Sequence, residues 1–247
     1  MKFISLNVDP TKDMVMSLAD GGGDDPTPRT SEFDFTITST LTQPLYLTQS
    51  TANAITVDWG DGSEPDNPSD LAASLSHEYA EAGNYTVKVT VAEGETWSPG
   101  ATIAQVVYSL VGNNSTTEPN TTITKAVLRQ GALLNQQGGF IGCAALASVV
   151  ANDVQEIQAH TFSGCTALSA VTLGSGTTAL YAYAFADCAA MMSLTCKAVV
   201  PPTCYSVTTL RDLPADCAIY VPAESVAAYQ TASRWSARTA YIQAIPT

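Results

Sequence analysis

Hydrophobic and polar positions follow two different rhythms along this chain. Between residues 32 and 112 they alternate, as in "FDFTITSTL", "PLYLTQS", "AITVDWGDG", "NYTVKVTVAEG" and "IAQVVYSLV". Alternation with a period of two, broken by Gly, Asp and Pro, predicts short half-buried strands. Several such strands within one short region predict a small β-sandwich. From residue 140 the rhythm changes. "FIGCAALASVV" from Phe140 returns as "FSGCTALSAVTL" from Phe162 and as "FADCAAMMSLTC" from Phe185, after 22 and then 23 residues. Phe140, Phe162 and Phe185 align, as do Cys143, Cys165 and Cys188, and Leu146, Leu168 and Met191. A period in the low twenties with this spacing predicts a leucine-rich-repeat solenoid, in which each coil lays one short strand in a parallel sheet. A single cysteine in a cleft suggests a nucleophile. A cysteine that returns once per coil among Ala and Leu is a small core residue.

The remaining segments follow from these two. Residues 1–20 carry two apolar clusters, Phe3, Ile4, Leu6 and Val8, then Met14, Val15, Met16 and Leu18, with "DPTKD" as a turn between them. "GGGDDPTPRTS" over 21–31 and the polar stretch over 113–123 read as linkers. The apolar pair of clusters needs a surface to bury it, either a partner to which it anchors the chain or the following domain, as an extra strand. The expected organisation is an anchor segment (1–20), a linker (21–31), a sandwich (32–112), a linker (113–123) and a capped repeat domain (124–247).

Two stretches in the first domain resemble the PKD family of Ig-like domains: "VDWGDGS", with Trp59, Gly60, Asp61 and Gly62, and "HEYAEAGNYTVKVTV", with His77, Tyr79, Gly83 and Tyr85. The resemblance covers about a third of the chain and implies an Ig-like spacer or adhesion module. Each motif residue also has a physical reason. Trp59 is a core filler at a strand end, the glycines permit a tight turn, and Asp61 can accept backbone N–H groups across it. In the second region, the form I-x-x-x-x-F-x-G-C-x-x-L-x-x-V resembles the BspA-like leucine-rich repeats of bacterial surface proteins, also found in proteins of their phages. "AIYVPAESVAAYQTASRWSARTAYIQAI" looks like the closing segment of such arrays, with Tyr220-Val221-Pro222 as a last strand and a short helix over 223–232 that covers the open apolar end. The fold expected is mainly β: an Ig-like (PKD-like) β-sandwich followed by a short leucine-rich-repeat solenoid with a C-terminal cap.

Composition narrows the function. The 247 residues include 23 acidic and 10 basic side chains, a formal net charge of −13. Such a surface repels phosphate backbones and anionic lipid, so nucleic acid is not an expected partner. No run approaches the roughly 20 apolar residues of a membrane span, so membrane insertion is not expected. Asp9 and Asp13 interrupt the start before any apolar run of signal-peptide length, which leads to the expectation of a chain made in a cytoplasm. The even number of cysteines, six, is compatible with disulfides, but a cytoplasmic origin favours free thiols.

No catalytic set, cofactor fingerprint or metal motif stands out. The sequence has two histidines. His77 falls in the PKD-like motif, and His160 fills the repeat position taken by Tyr183 one coil later. "CKAVVPPTC" lacks tight zinc spacing, and the acidic "DGSEPDNPSD" lacks the spacing of a Ca²⁺ loop. The expectation is a non-enzymatic display protein without cofactors. Its N-terminal segment would dock on a virion or cell-surface protein, and its C-terminal domain would bind a glycan or protein, with a homo-oligomer on an assembly as one arrangement. A bacteriophage particle is the first home, as a capsid decoration, head fibre or tail fibre. A bacterial BspA-like adhesin is the alternative, and an accessory domain of a carbohydrate-active system a remoter one.

Overall fold

The computed structural model describes residues 30–37, 42–103, 106–109, 112–113, 122–129, 132, 134, 139–211 and 213–247. The expected anchor residues Phe3 to Leu18 lie outside the described residues. The first region holds β1 (Thr30–Ile37), β2 (Thr42–Gln49), β3 (Ile55–Asp58), β4 (Ala72–Glu78), β5 (Gly83–Val91), β6 (Trp97–Pro99), β7 (Ala101–Ile103), β8 (Val106–Ser109) and β9 (Gly112–Asn113). The second holds β10 (Ile123–Leu128), β11 (Ser148–Ala151), β12 (Glu156–Ile157), β13 (Ala170–Leu173), β14 (Ala179–Leu180), β15 (Ser193–Cys196), β16 (Thr203–Cys204), β17 (Ala218–Val221) and β18 (Ile242–Ala244). Two short helices, α1 (Thr208–Arg211) and α2 (Val226–Thr231), lie near the end.

One sheet of nine strands runs through both regions, in the order β18-β17-β15-β13-β11-β10-β1-β5-β3. From β18 to β10 every pairing is parallel. From β10 through β1 and β5 to β3 every pairing is antiparallel. The expected linkers are therefore shorter than the polar composition implied: β1 takes up Thr30 and Ser31, and β10 begins at Ile123. The reason is pairing. β1 lies between β5 and β10, and Ser31 accepts the Arg129 backbone N–H at 3.0 Å through its hydroxyl. At the same seam Asp34 accepts from Thr86 Oγ1 at 2.9 Å and sits 3.5 Å from Lys125 Nζ, beside a register shift between Asp34 and Phe35. That ion pair is about half exposed, so it contributes about 1 kcal/mol at most. The continuous core matters more.

In the first region alternation becomes burial. Phe33, Phe35 and Ile37 of β1, Ile55 and Val57 of β3, and Val87, Val89 and Val91 of β5 point inward, while Lys88 and Thr90 are exposed. A second sheet, β4-β2-β6, adds Leu45, Leu47, Ala73 and Trp97 to the same core. In the second region the chain passes between the long sheet and a smaller parallel one, β12-β14-β16. Register is conserved from coil to coil: Val149 pairs with Val171, and Val171 with Leu194. β10 precedes the three strands that carry the repeat signature, and β17 and β18 follow them. The strand expected at Tyr220–Pro222 is β17, which spans Ala218–Val221, and β18 closes the sheet beyond it. Gly174 lies so close to the Asn152 carbonyl of the preceding coil that a Cβ there would overlap it.

Phenylalanines join the regions. Phe33 meets Trp97 edge-on at 5.9 Å and Phe140 at 6.3 Å. Phe140 stacks on Phe162 at 5.5 Å, and Phe162 on Phe185 at 5.8 Å. Each such ring pair adds about 0.5–1.5 kcal/mol beyond the area it buries.

Candidate functional site

The repeat interior is packing and not chemistry. Phe140, Cys143, Leu146, Phe162, Cys165, Leu168, Phe185, Cys188 and Met191 are all buried. All six cysteines are free. The Cys165 thiol donates to the Phe140 carbonyl at 3.1 Å, and the Cys188 thiol to the Phe162 carbonyl at 3.1 Å, so each closes onto the coil before it. Burial pushes the Cys143 and Cys165 thiols well up and Cys188 up to about 12. The nucleophile is the thiolate, so these protonated, water-excluded thiols are inert at neutral pH. Cys196, Cys204 and Cys217, outside the repeat signature, are buried too, with Cys204 pushed up to about 12 and Cys217 to about 11 by burial.

The stretches around Trp59–Gly62 and His77–Tyr85 meet at one turn. Gly60 and Gly62 have φ of 78° and 85°. A Cβ on Gly60 would stand 2.5 Å from the Thr86 carbonyl oxygen, so the turn is pressed against β5. Asp61 Oδ1 accepts from the Ser63 amide and hydroxyl, and Asp61 Oδ2 lies 2.6 Å from His77 Nε2. Partial burial of the Asp61 carboxyl opposes its ionisation, but the Ser63 and His77 hydrogen bonds outweigh it and hold it at about 2. The carboxylate therefore accepts, and Nε2 carries the proton. The His77 ring stacks on Trp59 at 4.8 Å and meets Tyr79 edge-on at 4.7 Å, while the Tyr79 hydroxyl donates to the Trp59 carbonyl at 3.0 Å. Tyr79 stacks on Tyr85, which follows Gly83 on β5, at 4.1 Å. The Trp59 indole N–H donates to Asp66 at 2.8 Å, so that loop carboxylate is already engaged. The Ser63 hydroxyl and the His77 imidazole both donate to the Asp61 carboxylate, on its two oxygens, instead of one to the other. The cluster fastens a turn; it is not a catalytic triad. Among the described residues no three His, Cys, Asp or Glu side chains converge as metal ligands.

The remaining candidate is an outward face of the repeats. Tyr181 and Tyr205 follow β14 and β16 in equivalent places, their amides bonded to the Ile157 and Leu180 carbonyls of the preceding coils. Their rings stack at 4.6 Å. His160 and Tyr183 form a second column, stacked at 5.1 Å, both with backbone in the left-handed region (φ 59° and 57°). Nearby in sequence, Met192, Val199, Val200 and Val207 are exposed. The sequence reading placed His160 and Tyr183 in one repeat position but did not single out the Tyr181–Tyr205 pair; the signal was a tyrosine directly after both a repeat leucine and Cys204.

Residues 136–213, just under a third of the chain, match the family model described as "BspA type Leucine rich repeat region (6 copies)". No curated protein matches the chain. The match makes this part of the molecule a repeat of a non-catalytic class associated with surface adhesion and protein interaction. Among the described residues no helix is long and apolar enough to cross a membrane.

Proposed function

We propose that the chain displays a binding tip on a surface. Residues 1–20 attach it, the Ig-like (PKD-like) sandwich over 32–112 acts as a spacer, and the capped BspA-like solenoid over 124–247 engages a glycan or protein. The surface is that of a bacteriophage particle, where the chain serves as a capsid decoration, head fibre or tail fibre. The observation that carries this reading is the distribution of exposed apolar side chains. Among the described residues, the first region exposes one large hydrophobic residue, Leu71. Met192, Val199, Val200, Val207, Tyr183, Tyr205 and Tyr241 all fall on the repeats and their cap. Exposed apolar surface gathered in one region marks an interaction site.

The charge of −13 supports dense display, because neighbouring copies repel one another. The apolar clusters at 3–8 and 14–18 support attachment, since burying each large side chain is worth about 1.5–3 kcal/mol. The family match over 136–213 favours a second home, the surface of a bacterium, with the same division of labour.

Removing residues 1–20 tests the reading. The shortened chain melts at the temperature of the full chain and no longer co-sediments with its particle or cell. A shortened chain that still co-sediments places attachment elsewhere and removes the main support for display.

A further inference from the structure

Where the end of the matched repeat region meets the C-terminal cap, a cavity of about 570 Å³ opens. Val207 and Leu210 give it apolar wall, Ser233 and Ser236 give hydroxyls, and Arg234 and Arg238 give charge. In a chain with 23 acidic and 10 basic residues, two arginines meet here, and among the described residues no Asp or Glu lines the cavity. Arg238 keeps 9% of its surface. Its terminal nitrogens donate to the carbonyls of Leu213, Pro214 and Cys217 at 3.4, 2.6 and 3.5 Å, and the Tyr241 ring centre lies 4.9 Å from its guanidinium carbon. Its Nε–H is buried without a partner. Carbonyls and a ring satisfy donors but do not cancel a charge, and among the described residues no carboxylate pairs with this one, which is costly to bury alone. At the rim Arg234 has its backbone at φ 71°, a conformation few residues other than glycine adopt, which fixes where this exposed side chain starts.

We propose that this cavity binds a carboxylate carried on a sugar, the acidic residue of a glycan. The planar fork of the exposed Arg234 matches a carboxylate through two parallel hydrogen bonds, while Arg238, its nitrogens held by carbonyls, contributes charge. The two serines suit sugar hydroxyls, and Val207 and Leu210 suit the C–H side of a ring. The volume falls in the ordinary range of small-molecule sites, about 300–1,000 Å³. The charge of the whole chain repels a polyanion, so the ligand carries an isolated carboxylate on an otherwise neutral chain. This assignment rests on the adhesion reading and names the ligand class at its tip.

Calorimetric titration of the full chain with sialyllactose, a glucuronate-terminated disaccharide, lactose and a short Asp/Glu peptide tests it. At least one acidic sugar binds about tenfold or more tighter than lactose, the range of a charge-assisted hydrogen bond, and weakens with added salt. Arg234→Gln, at an exposed position, removes that preference without a change in melting temperature. Val207→Trp, which fills the cavity without touching its charge, also removes binding. Equal affinity for lactose and the acidic sugars, an unaffected Arg234→Gln variant, or tighter binding of the peptide overturns the assignment. Adhesion of the same proteins to mucin-coated beads is read in parallel. Adhesion that survives Arg234→Gln without any acidic-sugar preference overturns the cavity ligand and leaves display standing. Acidic-sugar binding by a chain that adheres to nothing supports the cavity and removes the display role.

Discussion

The two halves of the nine-stranded sheet reach the same end by different means. In β3, β5 and β1 the pairing is antiparallel, and each residue is chosen for its own place: Trp59, His77 and Tyr79 interlock once, around a turn that only Gly60 permits. From β10 to β18 the pairing is parallel and each place is used again, so one phenylalanine, one cysteine and one leucine per coil build columns. The first half draws specificity from a cluster, the second from repetition. The lesson is that damage should stay local in kind but not in extent, because one core runs through both.

The largest expected effect comes from the column that crosses the seam. Phe162→Ala removes a ring stacked on both sides and should cost about 3–5 kcal/mol. Since the core is continuous, the fluorescence of Trp59 and Trp235, isolated in single-tryptophan variants, should report one coincident denaturant transition before and after the change. Two separate transitions would split the halves into independent units. The turn offers a sharper contrast. Gly60→Ala meets both a left-handed φ and the Thr86 carbonyl, whereas a Cβ on Gly62 has nothing within 4 Å. Gly62→Ala should cost about 1–2 kcal/mol, the backbone penalty alone, and Gly60→Ala measurably more in the same denaturant melt.

Acid should single out the first half, whereas alkali acts on both, because burial also raises the Tyr79 hydroxyl. Asp61, held at about 2 against an ordinary 3.8, contributes stability that is present in full above pH 3.8 and lost as pH falls through 2. The Cys188 and Cys204 thiols, raised to about 12, and Cys217, raised to about 11, contribute stability that is full below pH 9 and lost as pH rises towards those values. Asp61→Asn should therefore flatten the acid limb of a stability–pH profile and leave the alkaline limb, and Cys188→Ala should do the reverse. The smallest effect is expected at Lys88, exposed on β5: Lys88→Ala should stay within about 0.5 kcal/mol by thermal melt.

What could be read in advance follows the same division. The coils announced themselves because Phe140, Phe162 and Phe185 repeat with their neighbours. β10 did not, because "ITKAVL" carries neither the phenylalanine nor the cysteine of the signature and joins the array only through pairing. The β1–β10 seam was invisible for a related reason: it links residues some 90 positions apart, and local alternation carries no information about which strand lies alongside. Trp59, Gly60, Asp61, Gly62, His77 and Tyr79 stood out as two spaced stretches, but the Asp66 carboxylate that receives the Trp59 indole was read only as part of an acidic loop. The cap cavity was illegible because Arg234 and Arg238 sit in an aperiodic segment, where nothing in the spacing distinguishes a buried arginine from a solvated one.

The seam has a consequence for synthesis on the ribosome. β1 can pair with β5 once Val91 has emerged, but its other edge waits for β10, which is complete only at Leu128. At about 5–20 residues per second, those roughly 37 residues leave an open strand edge exposed for about 2–7 s in every nascent chain. Neighbouring nascent chains on one message thus present the same unpaired edge together, which makes this interval the moment at which the molecule is most exposed to joining the wrong copy of itself.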